Sequence, residues 1–450
     1  MNNVIAERFA GCSDPEQIRQ RVTVRPDPVE PLNGLDYLVA SEVFANALKE
    51  IYIPNKFSLE FIKEAVDRAQ LRHNEVFSSY VDYISKIYTP PESEVFPICL
   101  TGLAGVGKSQ TIAALRKVLP QPVSFSCDHY DGEVKLSSHW YKSARGNKSG
   151  KALLADFLSP EDPVSIKGTL AKALQECRRR AVRDGVSLVI LDETQHINTG
   201  LASAKITEIL LTMAAIGPPM IYICNYSLAH KLLGRNSEDK QRLLSEPRIM
   251  LPDDPHSSDW KDYISDCIRV SNGHIKADTT EFAEEVYRCT FGVKRLVVQL
   301  LKQAYIESRK DQRHHVELSD LARAYRSTSY TSNASEVEEL QLQALRNRKS
   351  TSRVDLMCPF ELPSELRSNV VQFTTLDRQK RVAAKIFESS LTETERSALQ
   401  QISEGEASNQ KENRKIRKAP VAKLSEDETA KAFLDYASTC APKPDPKRPK

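Results

Sequence analysis

No stretch of this 450-residue sequence approaches 18 consecutive apolar residues, the length needed for a helix that spans a bilayer, so no membrane partner is expected. Glycine is scarce. The 16 glycines make up about 4% of the chain against a usual share of about 7%, which excludes a collagen-like or glycine-linker protein and favours a helix-rich fold. The nine cysteines include no CxxC pair. An odd, dispersed set in a chain this long reads as reduced thiols, not as a disulfide framework or a zinc site. The opening MNNVIAERFAGCSD lacks an apolar core of secretory length, so a cytoplasmic location is expected. Nor does one sign of charge dominate, with 63 Lys/Arg against 60 Asp/Glu. The balance is uneven along the chain: residues 411–450 hold 11 basic and 6 acidic residues, which leaves 52 and 54 for the remainder. The tail is basic and the body is not, so any nucleic-acid contact by the body must come from a local patch.

The chain divides into four regions: 1–92, 93–252, 253–330 and 331–450. The first ~35 residues are proline-rich with little periodicity, which predicts an extended arm with a short helix at most. Over 41–88 apolar residues recur at three- and four-residue spacing (Phe61, Ile62, Ala65, Val66 and Ala69, for example), the mark of amphipathic helices. Between Val95 and Leu251 short apolar runs alternate with helical patterns, which predicts an α/β fold with a parallel sheet. The expected strands are 95–100, 122–126, 187–191, 219–224 and 248–251, with helices near 108–118, 165–183, 202–216 and 227–234. Helices are expected at 255–268, 279–289, 292–306 and 317–325, forming a compact satellite, and again at 336–347 and 376–402. The remainder of the tail is charged and expected to be disordered.

The first apolar run leads into Gly102-Leu103-Ala104-Gly105-Val106-Gly107-Lys108-Ser109-Gln110, a match to GxxxxGK[ST]. Glycines let the chain take positive φ, so successive backbone N–H groups turn inward around phosphates. Lys108 supplies a point charge for the β/γ-phosphates, Ser109 a hydroxyl for Mg²⁺, and the following helix its N-terminal dipole. The expected ligand is ATP with Mg²⁺.

A second motif, Leu188-Val-Ile-Leu191-Asp192-Glu193-Thr-Gln195-His196, puts two carboxylates at the carboxyl end of an apolar strand, where open α/β sheets bind ligands. Asp192 is the expected second metal anchor and Glu193 the general base for water. The fourth strand ends at Asn225, placed to orient that water or equally to cap a loop. In the helical satellite, Phe291-Gly292-Val-Lys294-Arg295 puts two cations at a helix start, where the macrodipole favours acids. An arginine reaching the phosphates explains that placement, and Arg295 is favoured over Lys294. If sites lie between subunits, Arg242 or Arg248, ranked equally and ahead of Arg235, would project as an arginine finger.

Together these features describe an AAA+ ATPase. Within that superfamily the chain resembles the TnsC and TniB target-selection ATPases of Tn-seven-type transposons. Four passages carry the resemblance: CLTGLAGVGKS, VILDETQHI, ILLTMAAIGPPMIYICNYSLAHKL and FGVKRLVVQLLKQA, within about 95–310. The chain departs from the family in closing its sensor strand with Cys224-Asn225 where Gly-Thr is frequent. It also carries Arg295, which some members lack. The resemblance implies an ATP-bound homo-oligomer, a ring or filament on double-stranded DNA, that links a target-selector protein to transposase. One local patch supports DNA contact independently: Lys135, Lys142, Arg145, Lys148 and Lys151, interleaved with His139, Trp140 and Tyr141 and with Glu133 as the only acid. It is expected to form a loop-helix insert after the second strand, touching phosphates without reading bases. An origin-recognition or helicase-loader ATPase would share the core motifs but normally adds a winged helix. A nucleotide-gated signalling or defence switch would assemble without DNA.

Overall fold

The computed structural model describes residues 7–77, 83, 85–87, 89–91, 96–127, 130–146, 149–158, 168–197, 203–346, 353–362, 364–392 and 394–396. Lys148 and the basic tail lie outside them. The chain forms one unit over Met1–Lys380 and a second over Arg381–Lys450.

The short helix α1 (Pro15–Val22) is followed by α2 (Tyr37–Glu50) and α3 (Lys56–Val76), each started by a side-chain cap from Asp14, Asp36 or Asn55. Then come β1 (Ile98–Gly102), α4 (Lys108–Val118), β2 (Val123–Cys127), β3 (Tyr130–Leu136), β4 (His139–Ser143), α5 (Gly150–Leu158), α6 (Leu170–Arg183) and β5 (Leu188–Asp192). A 3-10 turn at Thr194–His196 leads on to α7 (Ser203–Ala214), β6 (Met220–Asn225), α8 (Tyr226–Leu233), α9 (Ser237–Leu244) and β7 (Glu246–Met250). The rest of the described chain is helical: α10 (Ser258–Val270), α11 (Thr279–Thr290), α12 (Lys294–Lys310), α13 (Leu318–Arg326), α14 (Thr331–Arg346) and α15 (Ser364–Ser390), apart from short 3-10 turns. No helix among the described residues is long and apolar enough to cross a membrane.

The five-stranded sheet has the order β4-β5-β6-β1-β7, and every neighbouring pair is parallel. Strands β1 and β5 are buried along their whole length and β6 except at Asn225, whereas the edge strands β4 and β7 are mostly half-buried. Helices cover both faces of a parallel sheet, so its inner strands are near-continuous apolar runs. This corrects one expectation. The run near 122–126 does not enter the sheet: β2 pairs antiparallel with β3 in a separate hairpin, and the second sheet strand is His139–Ser143. As an edge strand, HWYKS buries only Trp140, which stacks on Phe157 with ring centroids 5.4 Å apart. It therefore lacks the apolar run that marks an inner strand.

The helices ahead of the sheet are divided between two cores. Residues Phe61, Ile62, Ala65 and Val66 of α3 join Leu100, Ile112, Leu115 and Ile223 under the sheet. Residues Phe44, Ala45 and Leu48 of α2 join Trp260, Tyr287, Leu301 and Tyr305 of the helical satellite. Each such valine, leucine, isoleucine or phenylalanine contributes roughly 1.5–3 kcal/mol on burial. The satellite is tied back to the sheet unit where Asn55 Nδ2 donates to Asp253 Oδ1 at 2.7 Å.

Candidate nucleotide site

The loop joining β1 to α4 wraps a concavity with its own backbone. Gly105 and Gly107 hold φ of +87° and +114°, a region closed to most L residues. A Cβ on Gly105 would also meet Arg295 Cβ at 2.8 Å and Nε at 2.9 Å. Val106 is buried against the sheet core, and Gln110 reaches the Lys49 carbonyl at 3.3 Å. Lys108 Nζ donates to the carbonyls of Gly102 (2.8 Å) and Leu103 (2.7 Å). Burial, which outweighs the pull of Cys224 and Asp192, lowers its ammonium to about 8.

The strand register brings the second motif to this loop. Asp192 ends β5 buried. Its Oδ1 accepts from the Glu193 N–H at 2.7 Å and its Oδ2 from the Tyr141 hydroxyl at 3.3 Å, and the Ser109 hydroxyl bonds to it as well. Burial pushes the carboxyl up, with the Glu193 N–H and Ser109 pulling it down. Glu193 follows in the left-handed region at φ +57°, so its side chain leaves the strand's alternation. Four contacts from three side chains surround its carboxylate. Arg145 Nε and Nη2 donate to Oε2 and Oε1, both at 3.3 Å. Gln195 Nε2 donates to Oε2 at 3.2 Å, and His196 Nε2 lies 2.9 Å from the same oxygen.

Asn225 pairs in register with Gly102, so it stands beside the loop as expected. Its Oδ1 caps α8, accepting from the Leu228 N–H at 3.3 Å and the Ser227 hydroxyl at 3.1 Å. The cap occupies the carbonyl oxygen and not the amide nitrogen. The two cations at the start of α12 are separated by what they touch. Lys294 pairs with buried Asp253 at 3.5 Å and lies 5.3 Å from the Tyr263 ring centre. Arg295 donates its backbone N–H to the Gly105 carbonyl at 3.1 Å and packs its side chain on that glycine. Of the finger candidates, Arg248 is enclosed in a network with Glu64 (2.6 Å), Glu246 (3.4 Å) and, through these acids, Arg68. Arg242 is more exposed on α9 and pairs with Glu238 at 3.1 Å, and Arg235 pairs with Asp239 at 2.8 Å.

The basic patch is not the loop-helix insert expected from sequence. Lys135 is exposed on the hairpin strand β3, Lys142 lies on the edge strand β4, Arg145 follows that strand and Lys151 opens α5. Its interleaved aromatic residues turn inward. Trp140 is buried, Tyr141 bonds Asp192, and burial, reinforced by Arg116 and Arg8, holds the half-buried His139 imidazole down at about 4. Sequence reading also missed that Tyr141 and Arg145 reach the acidic pair. Reading HWYKS as a parallel strand beside β5 would have found them, because Ser143 then falls opposite Asp192.

A parallel sheet running 5-1-4-3-2 in strand succession, a phosphate loop after its first strand and a helical lid returning to that loop define the α/β fold of the AAA+ phosphate-loop class. No family model and no curated protein matches the chain. Among solved structures it is similar to the Aeropyrum pernix ORC2 protein in ADPNP-ADP complexes, at 10% identity and a TM-score of 0.37 over 69% of this chain and 95% of that one. It is similar to a chain of Drosophila ORC bound to DNA, at 15% identity and a TM-score of 0.39 over 88% and 91%. It is also similar to the Thermotoga maritima RuvB Holliday junction branch migration motor, at 12% identity and a TM-score of 0.33 over 71% and 87%. Likeness at this level carries nothing about function.

Proposed function

We propose that the chain is an ATPase that binds ATP at the loop 102–110 and uses hydrolysis to time an assembly on double-stranded DNA. The observation that carries this reading is the convergence of Lys108, Ser109, Asp192, Glu193 and Arg295 on one loop. The donor set fits Mg²⁺: a serine hydroxyl bonded to a buried carboxylate offers the hard oxygen ligands that ion takes. Bound there by Ser109 and Asp192, Mg²⁺ would neutralise developing phosphate charge. Lys108 exchanges its two carbonyl partners for phosphate oxygens, Arg295 adds a second cation at Gly105, and Glu193 accepts the proton of the attacking water.

In the described conformation Arg145 occupies both oxygens of that base. A DNA phosphate that drew Arg145 away would free Oε1 of Glu193 while Gln195 and His196 keep Oε2 in place, which couples the patch to the chemistry. Lys135, Lys142 and Lys151 supply further sequence-independent phosphate contacts, and Lys148 is assigned the same role from sequence alone. Arg242 is better placed than Arg248 to serve a neighbour's nucleotide, because Arg248 is enclosed by its own chain's acids.

Within this class the resemblance to the TnsC and TniB ATPases favours a regulator of transposition that joins a target-selector protein to transposase. Its most specific residues, Gln195 and His196, both touch the proposed base. The origin-recognition or helicase-loader reading expects a winged helix, and among the described residues after β7 the only β pairing is the isolated Ile275–Val316 bridge. The test is electron microscopy of wild type and Lys108→Ala on random-sequence duplex DNA, with a non-hydrolysable ATP analogue or ADP. Rings or filaments for wild type with the analogue alone are expected. Assembly indifferent to DNA would sink the matchmaker reading in favour of a signalling switch.

A further inference from the structure

Fourteen large apolar side chains are exposed among the described residues, and nine of them fall in two short stretches. One stretch is the start of α2: Leu35 and Tyr37 lead into it, and Leu38, Val39 and Val43 lie on its outer face, opposite buried Phe44 and Leu48. The other is on α15, where Leu376, Val382, Ile386 and Phe387 recur at intervals of six, four and one residues, the spacing of a single helical stripe. Scattered exposed leucines need no explanation, but apolar side chains gathered on one face mark a surface that another surface covers.

The charges beside the two stretches are opposite. Exposed Arg378, Lys380 and Lys385 flank the α15 stripe, while on α2 exposed Asp36, Glu42 and Glu50 outnumber Lys49, with Glu42 paired to Lys302. We propose that the apolar stripe of α15 in one copy of this chain docks on the α2 face of a second copy. A basic amphipathic helix laid on an acidic apolar face is a helix-recognition arrangement, and the chain carries both halves. Because the two surfaces differ, the contact is heterologous and repeats from copy to copy, closing a ring or propagating a filament. Each patch is on the order of a few hundred Å², less than the ~800 Å² per partner of a standard interface. The contact is accordingly a reversible one that depends on concentration. It needs neither nucleotide nor DNA, which separates it from the assembly proposed above.

The test is sedimentation velocity of the full chain over a concentration series, without nucleotide or DNA. Wild type is expected to self-associate. Val39→Lys and Phe387→Glu, both on exposed positions, are each expected to raise the association midpoint at least tenfold. The chain carrying both substitutions is expected to regain part of the loss, because the introduced charges on the two surfaces are opposite in sign. A wild type that stays monomeric, single variants that associate like wild type, or a double variant no better than the weaker single one would each overturn the proposal. ATP-analogue binding, measured alongside, reports on the nucleotide reading separately.

Discussion

Two pairs of adjacent charged residues meet the phosphate loop, one from the sheet and one from the lid, and in each pair the two side chains are held by different partners. At the end of β5, Asp192 is buried and bonded to Tyr141 and Ser109, while Glu193 turns out of the strand at positive φ and is clasped by Arg145, Gln195 and His196. At the start of α12, Lys294 is bound to buried Asp253, while Arg295 lies on Gly105. A step of one residue swings a side chain by about 100° in a helix and to the other face in a strand. Neighbours in sequence can thus face different surroundings: Lys294 turns to a buried carboxylate and Arg295 to the loop, while Asp192 turns to Ser109 and Glu193 to Arg145.

The largest test of this division falls on the sheet pair. Glu193→Gln should lower ATP hydrolysis at least 100-fold, the scale of a lost general base, while nucleotide binding measured by calorimetry persists. Lys108→Ala should remove binding itself. On the lid pair the two effects should separate cleanly. Arg295→Ala should weaken ATP binding about tenfold, ~1.4 kcal/mol, with the denaturant midpoint unchanged. Lys294→Ala should leave affinity nearly intact and cost about 1–3 kcal/mol of stability, since it strips the cation from a buried carboxylate. If both variants lose affinity and neither loses stability, the division is wrong.

A smaller effect concerns the clasp on the base. Arg145→Ala should raise DNA-free hydrolysis a few-fold and abolish further stimulation by duplex DNA, checked in one steady-state assay with and without DNA. Unchanged basal hydrolysis would show that Arg145 does not restrain Glu193.

The smallest effect is on pH. Lys108 titrates at about 8 in the folded chain, below its ordinary 10.5. Holding it charged costs stability below pH 8, and that penalty is relieved as pH rises from 8 towards 10.5. Phosphate binding favours the ammonium, so ATP affinity should hold below pH 8 and decline above it. Calorimetry at pH 8.5 in buffers of different ionisation enthalpy should register proton uptake on binding.

The elements whose signals are local were legible from sequence. The phosphate loop, the strand ending in Asp192-Glu193 and the helix opening at Lys294-Arg295 each carry their pattern within about ten residues, and helix α4 begins and ends where the apolar spacing places it. The edge strand was not legible. HWYKS has one buried face at most, and the more apolar VSFS nearby satisfies the rule for an inner strand while pairing only in a hairpin. That single displacement hid Tyr141 and Arg145, because their place beside the acids follows from strand order, which no local pattern encodes. The dipole argument applies to Lys294 and Arg295 alike. What separates them is a long-range contact: Lys294 pairs with Asp253, a carboxylate that also accepts from Asn55, 198 residues before it.

The division of α2 and α3 between two cores has a mechanical consequence. Successive helices are anchored to the lid and to the sheet, and only residues 51–55 join them. Fully extended, five residues reach no more than about 18 Å. That segment is already held to the arm by the Val24–Tyr52 bridge and to α4 where the Tyr52 hydroxyl donates to Thr111 at 3.3 Å. Any withdrawal of the lid from the phosphate loop must therefore load this short strap in tension. Hydrogen exchange at the Val24 and Tyr52 amides would serve as a strain gauge for the nucleotide cycle.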